Sequence, residues 1–313
     1  MPMIQIRMLS HGHHFLKQSQ WLSHLTNNIH NIHNHPNNKF LTKRRCSSQF
    51  VKTAKIINLS DPFDDANSSL HNLPYGDSAQ IISSGLESHQ DLDLLRSQNA
   101  NVIFVSHPLA RKPLAEIIRH VPSIEWVHAR SAGVDFITSE DLNECADHVT
   151  FTNAKGQFSS TLAEYAMMAC AHFAKDVPRL MRQKENCEWG KFNVRELRGA
   201  TLGIIGYGDI GRECARLAKA YGMHVIGLRR NPKKSEGDEF CDDILGSDRE
   251  SMKRIMSESN YILVSAPLTK DTKGMIGRHE FEFVRNENVV FINLGRGPIV
   301  DESALIDALK RGE

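Results

Sequence analysis

The chain has 313 residues, enough for about two domains of ordinary size. Its 38 basic and 37 acidic side chains nearly cancel, so total charge gives no reason to expect nucleic acid or an anionic membrane as partner. The longest apolar runs, such as 102–105 and 289–293, fall well short of the roughly 20 residues a spanning helix needs, so no membrane segment is expected. The six cysteines (Cys46, Cys145, Cys170, Cys187, Cys214, Cys241) form no C-x-x-C pair, the pattern of free thiols in a reducing compartment.

Residues 1–60 contain no acid; Asp61 is the first. The same stretch carries Arg7, Lys17, Lys39, Lys43, Arg44, Arg45, Lys52 and Lys55 among Asn, His and Ser. A basic, acid-free start is the composition of an organellar transit peptide, and no apolar run with a small-residue cleavage site argues for secretion. The serine and asparagine content favours a plastid slightly over a mitochondrion. The histidines here (His11, His13, His14, His24, His30, His33, His35) lack a Cys or carboxylate pattern to complete a site, so no metal is expected. Residues 1–52 are read as a disordered leader.

From Thr53 onward short β-branched runs alternate with amphipathic stretches. Strands are predicted at 55–59, 80–83, 101–106 and 124–129, with a helix over 113–120 carrying Leu114, Ile117 and Ile118 on one stripe. The small, apolar segment 159–173 is predicted to be a long buried helix leaving a first domain. A polar stretch through Trp189 and Gly190 follows. A second alternation then begins, with strands at 201–205, 224–228, 261–265 and 289–294 and helices at 210–221, 249–258 and 303–311. The alternation implies an α/β fold with parallel sheets in two domains, 53–157 and 158–313. No strand follows the last helix before Glu313, so the second sheet reads as cut short.

Gly206-Tyr-Gly208-Asp209-Ile210-Gly211 follows an apolar strand and opens a helix, the context that makes a G-x-G-x-x-G informative. Gly206 permits the tight turn, Gly208 lets backbone approach a pyrophosphate, and Gly211 lets the helix pack closely on the strand. The pyrophosphate would sit at the helix N-terminus, where free N–H groups favour negative charge. An NAD enzyme carries an acid about 20 residues on, at the end of the second strand. Here that strand, 224–228, ends in Arg229-Arg230. A guanidinium suits a 2′-phosphate, so the cofactor is expected to be NAD(P), with NADP preferred.

With these motifs in place the chain resembles the D-isomer-specific 2-hydroxyacid dehydrogenase family, from about Lys55 to Glu313. Arg130-Ser-Ala-Gly-Val-Asp135 resembles the family's loop before the substrate cleft, which implies that Ala132, Gly133 and Val134 hold a substrate carboxylate through backbone N–H groups. Thr152-Asn153 with Gly156 and Leu162-Ala-Glu164 resembles the crossing between domains, with Lys155 where proline is common. Ala266-Pro267-Leu-Thr269, with Thr272 and Gly274, resembles the family's H-x-P-L-T motif, which implies that Ser265 to Pro267 line the nicotinamide half of the cleft. Asn293-Leu294-Gly295-Arg296-Gly297 is similar to the signature around the family's catalytic arginine. The resemblance assigns Arg296 to the substrate carboxylate and keto oxygen, and Gly206, Gly208, Asp209, Ile210, Gly211, Arg229, Arg230, Ala266, Pro267, Thr272, Leu294 and Gly295 to the cofactor. Gly295 stands where many members have alanine.

The resemblance implies a flavodoxin-like substrate domain, an incomplete Rossmann dinucleotide-binding domain, and hydride transfer between NAD(P) and a small 2-keto or 2-hydroxy acid of the hydroxypyruvate, glyoxylate or phosphoglycerate type. A homodimer is typical of the family, with Trp189 and the helix before it as contributors. The family's acid and proton-donating histidine follow the arginine loop, and this sequence reaches Glu313 before either. The other expectation, from a different class, is therefore a non-catalytic NADP-binding scaffold or regulator on the same fold.

Overall fold

The computed structural model describes residues 53–65, 67, 70, 78–285 and 288–312. The leader expected over 1–52 lies outside the described residues. The first sheet contains β1 (Ala54–Leu59), β2 (Ala79–Ser84), β3 (Val102–Val105), β4 (Trp126–Ala129) and β5 (Thr150–Asn153). All its pairings are parallel, in the order β2-β1-β3-β4-β5. That is the flavodoxin-like order, with its switch point between β1 and β3.

Central β3, Val-Ile-Phe-Val, is buried along its length, as a parallel strand covered on both faces must be. On one face α1 (Leu92–Ser97), α2 (Arg111–His120) and α3 (Glu140–Cys145) cover the sheet. Leu114, Ile117 and Ile118 of α2 pack there with Ile57, Ile103 and Val127. On the other face Ile56, Leu70, Val102 and Phe104 form a smaller cluster. Beside it, Phe104, Trp126 and His128 meet edge to face. The Thr152 hydroxyl accepts from Trp126 Nε1 at 2.7 Å and lies 2.8 Å from His128 Nδ1.

Residues 154–158 turn the chain into α4 (Ser159–Ala174), with Gly156 at φ +88. Through Ala163, Ala166 and Cys170, α4 joins one core with Cys214, Ala215 and Ala218 of α6 (Asp209–Ala220). Small side chains on both helices allow their close approach. The second sheet holds β6 (Thr201–Ile205), β7 (His224–Leu228), β8 (Asp243–Leu245), β9 (Tyr261–Val264) and β10 (Val290–Asn293), in the parallel order β10-β9-β6-β7-β8. Counted within its own domain this is 3-2-1-4-5, the Rossmann arrangement. Its other face is closed by α7 (Arg249–Glu258), α8 (Arg278–Phe281) and α9 (Glu302–Arg311), through Ile255, Phe281, Leu305 and Ala308.

The expected strands and long helices are present, with ends shifted by a residue or two. The sequence reading left out α1, α3, β5, β8 and α5 (Val177–Glu185). Each gives a weak pattern. β5 is an edge strand with exposed residues, β8 has three residues, and α5 buries none of its side chains. Among the described residues the cysteines are unbonded, and burial pushes the Cys214 and Cys241 thiols up to about 12. No described helix is long and apolar enough to cross a membrane.

Burial, and then the charge of Arg130, lower the pKa of His128 below its ordinary 6.5. Well above pH 6.5 the ring is neutral in both folded and unfolded chains, so His128 does not alter stability there. Below it the unfolded chain binds a proton that the folded ring refuses, and stability falls until pH passes the folded value. Thermal unfolding from about pH 7.5 to about pH 5 should show this loss, at most about 1.4 kcal/mol per pH unit from this group. His128→Asn should flatten that part of the profile, and an unchanged slope would show that other groups cause it.

Candidate dinucleotide and anion site

Ligands of open α/β sheets bind beyond the carboxyl ends of the strands, where strand order reverses. In the second sheet that point lies between β6 and β9, and the motif residues flank it. Gly206 follows β6 with φ +100, and a Cβ there would stand 2.5 Å from the backbone N of Ala266, which follows β9. Ser265 closes the junction by donating its hydroxyl to Gly206 O at 2.8 Å. A Cβ on Gly211 would meet Gly206 O at 2.8 Å and Ile204 Cγ2 at 2.9 Å, so α6 can lie on β6 only with glycine there. A Cβ on Gly208 would meet nothing within 4 Å. Its missing side chain keeps open the space at the N-terminus of α6, and that fits a pyrophosphate.

Asp209 and Ile210 form the first turn of α6. Lys155, at the crossing between domains, brings its Nζ to 3.3 Å from Asp209 Oδ2. Beneath the motif Tyr207 is buried, its ring occupying space that a side chain on Gly227 would need. The two arginines after β7 differ in setting. Arg229 is half-buried and donates to the Ser235 hydroxyl. Arg230 is exposed, its Nη2 4.0 Å from Asp271 Oδ2.

After β9, Ala266 is buried and Pro267 begins a turn that Thr272 closes. The Thr272 hydroxyl donates to Pro267 O at 2.6 Å and accepts from Thr269 N at 2.8 Å. After β10, Leu294 N donates to Val264 O at 2.8 Å, and Gly295 N to Asn293 Oδ1 at 2.9 Å. An alanine at Gly295 would put its Cβ 2.7 Å from Ala266 O, which accounts for glycine in this chain.

Arg296 extends from this loop to the loop after β4. Its Nε and Nη2 lie 3.3 and 3.2 Å from Asp135 Oδ1. A Cβ on Gly133 would fall 1.7 Å from Arg296 Nη2, so the guanidinium occupies the space that glycine leaves. Gly133, between Ala132 and Val134, is thus beside the one side chain that the sequence assigned to catalysis. Asp135 ends the Arg130–Asp135 motif, and its carboxylate is what holds the guanidinium. No spacing links it to Arg296, because they are 161 residues apart. Among the described residues no group of three His, Cys, Asp or Glu could hold a metal ion.

A two-domain α/β chain with a glycine-lined crevice at the switch point of its second sheet has the architecture of dinucleotide-binding proteins. Residues 166–313 match the family model for D-isomer specific 2-hydroxyacid dehydrogenase, NAD binding domain. D-3-phosphoglycerate dehydrogenase of Methanocaldococcus jannaschii is 29% identical over 238 residues, covering 74% of this chain and 43% of its own. Glyoxylate reductase of Thermococcus litoralis is 30% identical over 230 residues, covering 71% of this chain and 66% of its own. The chain therefore spans less than two thirds of each of these relatives. A D-isomer specific 2-hydroxyacid dehydrogenase family protein from Aeromonas salmonicida superposes with a TM-score of 0.67 at 23% identity, covering 83% of this chain and 79% of that one. Residues 166–313 therefore belong to the NAD binding domain of the D-isomer specific 2-hydroxyacid dehydrogenase family, and the chain as a whole is similar to that family's members.

Gly133→Ala isolates the contact with Arg296. The obstacle to the new methyl group is the end of a flexible side chain, so melting temperature and circular dichroism should stay near wild type. Binding of oxamate, an unreactive isostere of a 2-keto acid, should weaken by about tenfold or more as Arg296 is displaced. Unchanged oxamate affinity would separate Arg296 from the anion site.

Proposed function

We propose that this chain binds NADP(H) in preference to NAD(H) at the β6–β9 crevice, binds a small 2-keto or 2-hydroxy acid between Arg296 and the loop after β4, and serves hydride transfer between them. The observation that carries this reading is the Arg296 guanidinium seated on Gly133, together with the space that Gly208 keeps open at the N-terminus of α6. Gly206, Gly208 and the N-terminal turn of α6, with Asp209 and Ile210, would hold the pyrophosphate. Ala266, Pro267 and Thr272 on one side, and Leu294 and Gly295 on the other, would line the cofactor's path. The nicotinamide, when bound, supplies or accepts the hydride. Arg296 offers a planar fork to the substrate carboxylate and stabilises negative charge growing on the carbonyl oxygen. Glyoxylate and phosphoglycerate are the first substrates to try, because the two relatives are named for them, with hydroxypyruvate beside them as a 2-keto acid of similar size.

The NADP preference rests on Arg229 and Arg230 standing where an acid would bond the ribose 2′-hydroxyl. Arg230 is the exposed one of the two, and its acidic neighbour Asp271 is itself 83% exposed. Calorimetric titration of the full chain should show tighter binding of NADPH than of NADH. Arg230→Gln should weaken NADPH by about tenfold and leave NADH unchanged. Equal weakening of both would remove the 2′-phosphate from the argument. Oxidation of NADPH on addition of hydroxypyruvate, followed by absorbance, tests the reaction itself.

A second copy of this chain is the proposed protein partner. Helix α5 buries none of its residues, and Leu180, Met181, Val194 and Trp189 are exposed, Trp189 to 97%. An open cavity of about 800 Å³, lined in part by Leu180, Gln183 and Phe192, lies next to that indole. A projecting indole beside a hollow is a self-complementary surface, as a two-fold interface requires. Sedimentation should give a dimer that Trp189→Ala dissociates; a monomeric wild type would overturn this part.

A further inference from the structure

We propose that Arg111 is a positioning residue for the substrate carboxylate, a role that rests on the anion site described above. Arg111 opens α2, whose first turn has no acid to balance it. A cation in the first turn of a helix is placed against the helix dipole, so local stability does not account for it. Its tertiary contacts do. Nη2 donates to Asp135 O at 2.9 Å and Nε to Phe136 O at 3.0 Å, so one guanidinium holds two consecutive carbonyls.

These bonds complete a pattern along the loop. Ser131 O accepts from Ala154 N at 3.2 Å, Ala132 O from Asn153 Nδ2 at 2.7 Å, and Gly133 O from Ser131 Oγ at 2.8 Å. Val134 O accepts from Ile137 N at 3.1 Å. Each carbonyl from residue 131 to 136 is therefore engaged. In a planar trans peptide the carbonyl and the next N–H point in opposite directions. Pinning the carbonyls of 131–133 turns the N–H groups of Ala132, Gly133 and Val134 the other way. Among the described residues these three N–H groups donate to no protein acceptor. Successive free N–H groups form an anion-binding concavity. Arg111 fixes the far end of that concavity. It also fixes the backbone of Asp135, whose carboxylate holds Arg296. Both parts of the carboxylate seat thus depend on one exposed side chain outside every sequence motif.

The test uses the full chain, with NADPH and oxamate as probes in calorimetric titrations. Arg111→Ala should weaken oxamate by about tenfold in the NADPH-loaded protein and leave NADPH affinity and melting temperature near wild type. Arg111→Lys, which keeps the charge but loses the fork, should recover part of the loss. Hydrogen exchange should speed up in the peptide spanning 131–138 in Arg111→Ala and stay unchanged elsewhere. Unchanged oxamate affinity would overturn the proposal, as would equal weakening of NADPH and oxamate with a lower melting temperature. If wild type binds NADPH but no oxamate, the proposed substrate reading fails. Hydrogen exchange then still decides whether Arg111 braces the loop: unchanged uptake overturns the bracing, and faster uptake confined to 131–138 supports it.

Discussion

The guanidinium of Arg296 lies where a side chain on Gly133 would have to be, and the candidate site is arranged around that contact. It joins loops from two different sheets, one after β4 and one after β10. On the Arg296 side the loop is held by backbone. Gly274 N donates to Pro298 O at 2.8 Å, Ile276 N to Ile299 O at 3.2 Å, and Asp301 N to Ile276 O at 2.9 Å. Asp301 then caps α9, accepting from Ser303 N and Ala304 N. A long, flexible side chain is thus mounted on a rigid base, and Asp135 restricts the motion that remains.

The same economy of space governs the crevice. Gly206, Gly211 and Gly295 each stand where a Cβ would come within 3 Å of another part of the backbone. The ends of β6, β9 and β10 therefore approach more closely than chains with side chains at those points could. Gly208 differs, since nothing lies near its would-be Cβ. The contrast separates glycines that the fold requires from one that keeps room for a ligand.

What could be read from sequence follows from where the signal is local. The strand-turn-helix around Gly206 to Gly211 combines a buried apolar run with glycines at fixed spacing, so fold and cofactor crevice were both visible there. Arg296 was reached through the similarity of its surrounding motif. β5 and α5 were missed because neither buries a continuous apolar face, and burial is what creates a pattern. Asp135, Arg111 and the Lys155–Asp209 pair were missed as site elements for a different reason. Their partners lie far along the chain, or are backbone carbonyls that any sequence possesses, so no residue spacing encodes them. Lys155 was noticed only as a departure from a common proline, and the structure gives the departure a partner at the helix where a phosphate would lie.

The Arg296–Asp135 pair raises the question of whether an internal carboxylate would block an external one. The side chains are 41% and 48% exposed, so water screens their attraction. Pairs of that kind contribute about 0.2–1 kcal/mol. A substrate carboxylate held by a bidentate arginine and by the N–H groups of the 132–134 loop would gain charge-assisted hydrogen bonds worth about 1.5–3 kcal/mol each. Asp135 touches Nε and Nη2 through a single oxygen, Oδ1, while Nη1 points back to Gly295 O. The internal pair is thus strong enough to orient the guanidinium and too weak to compete with a ligand that also satisfies the loop. Asp135 would then set the orientation of Arg296 before binding and yield it to the proposed substrate carboxylate.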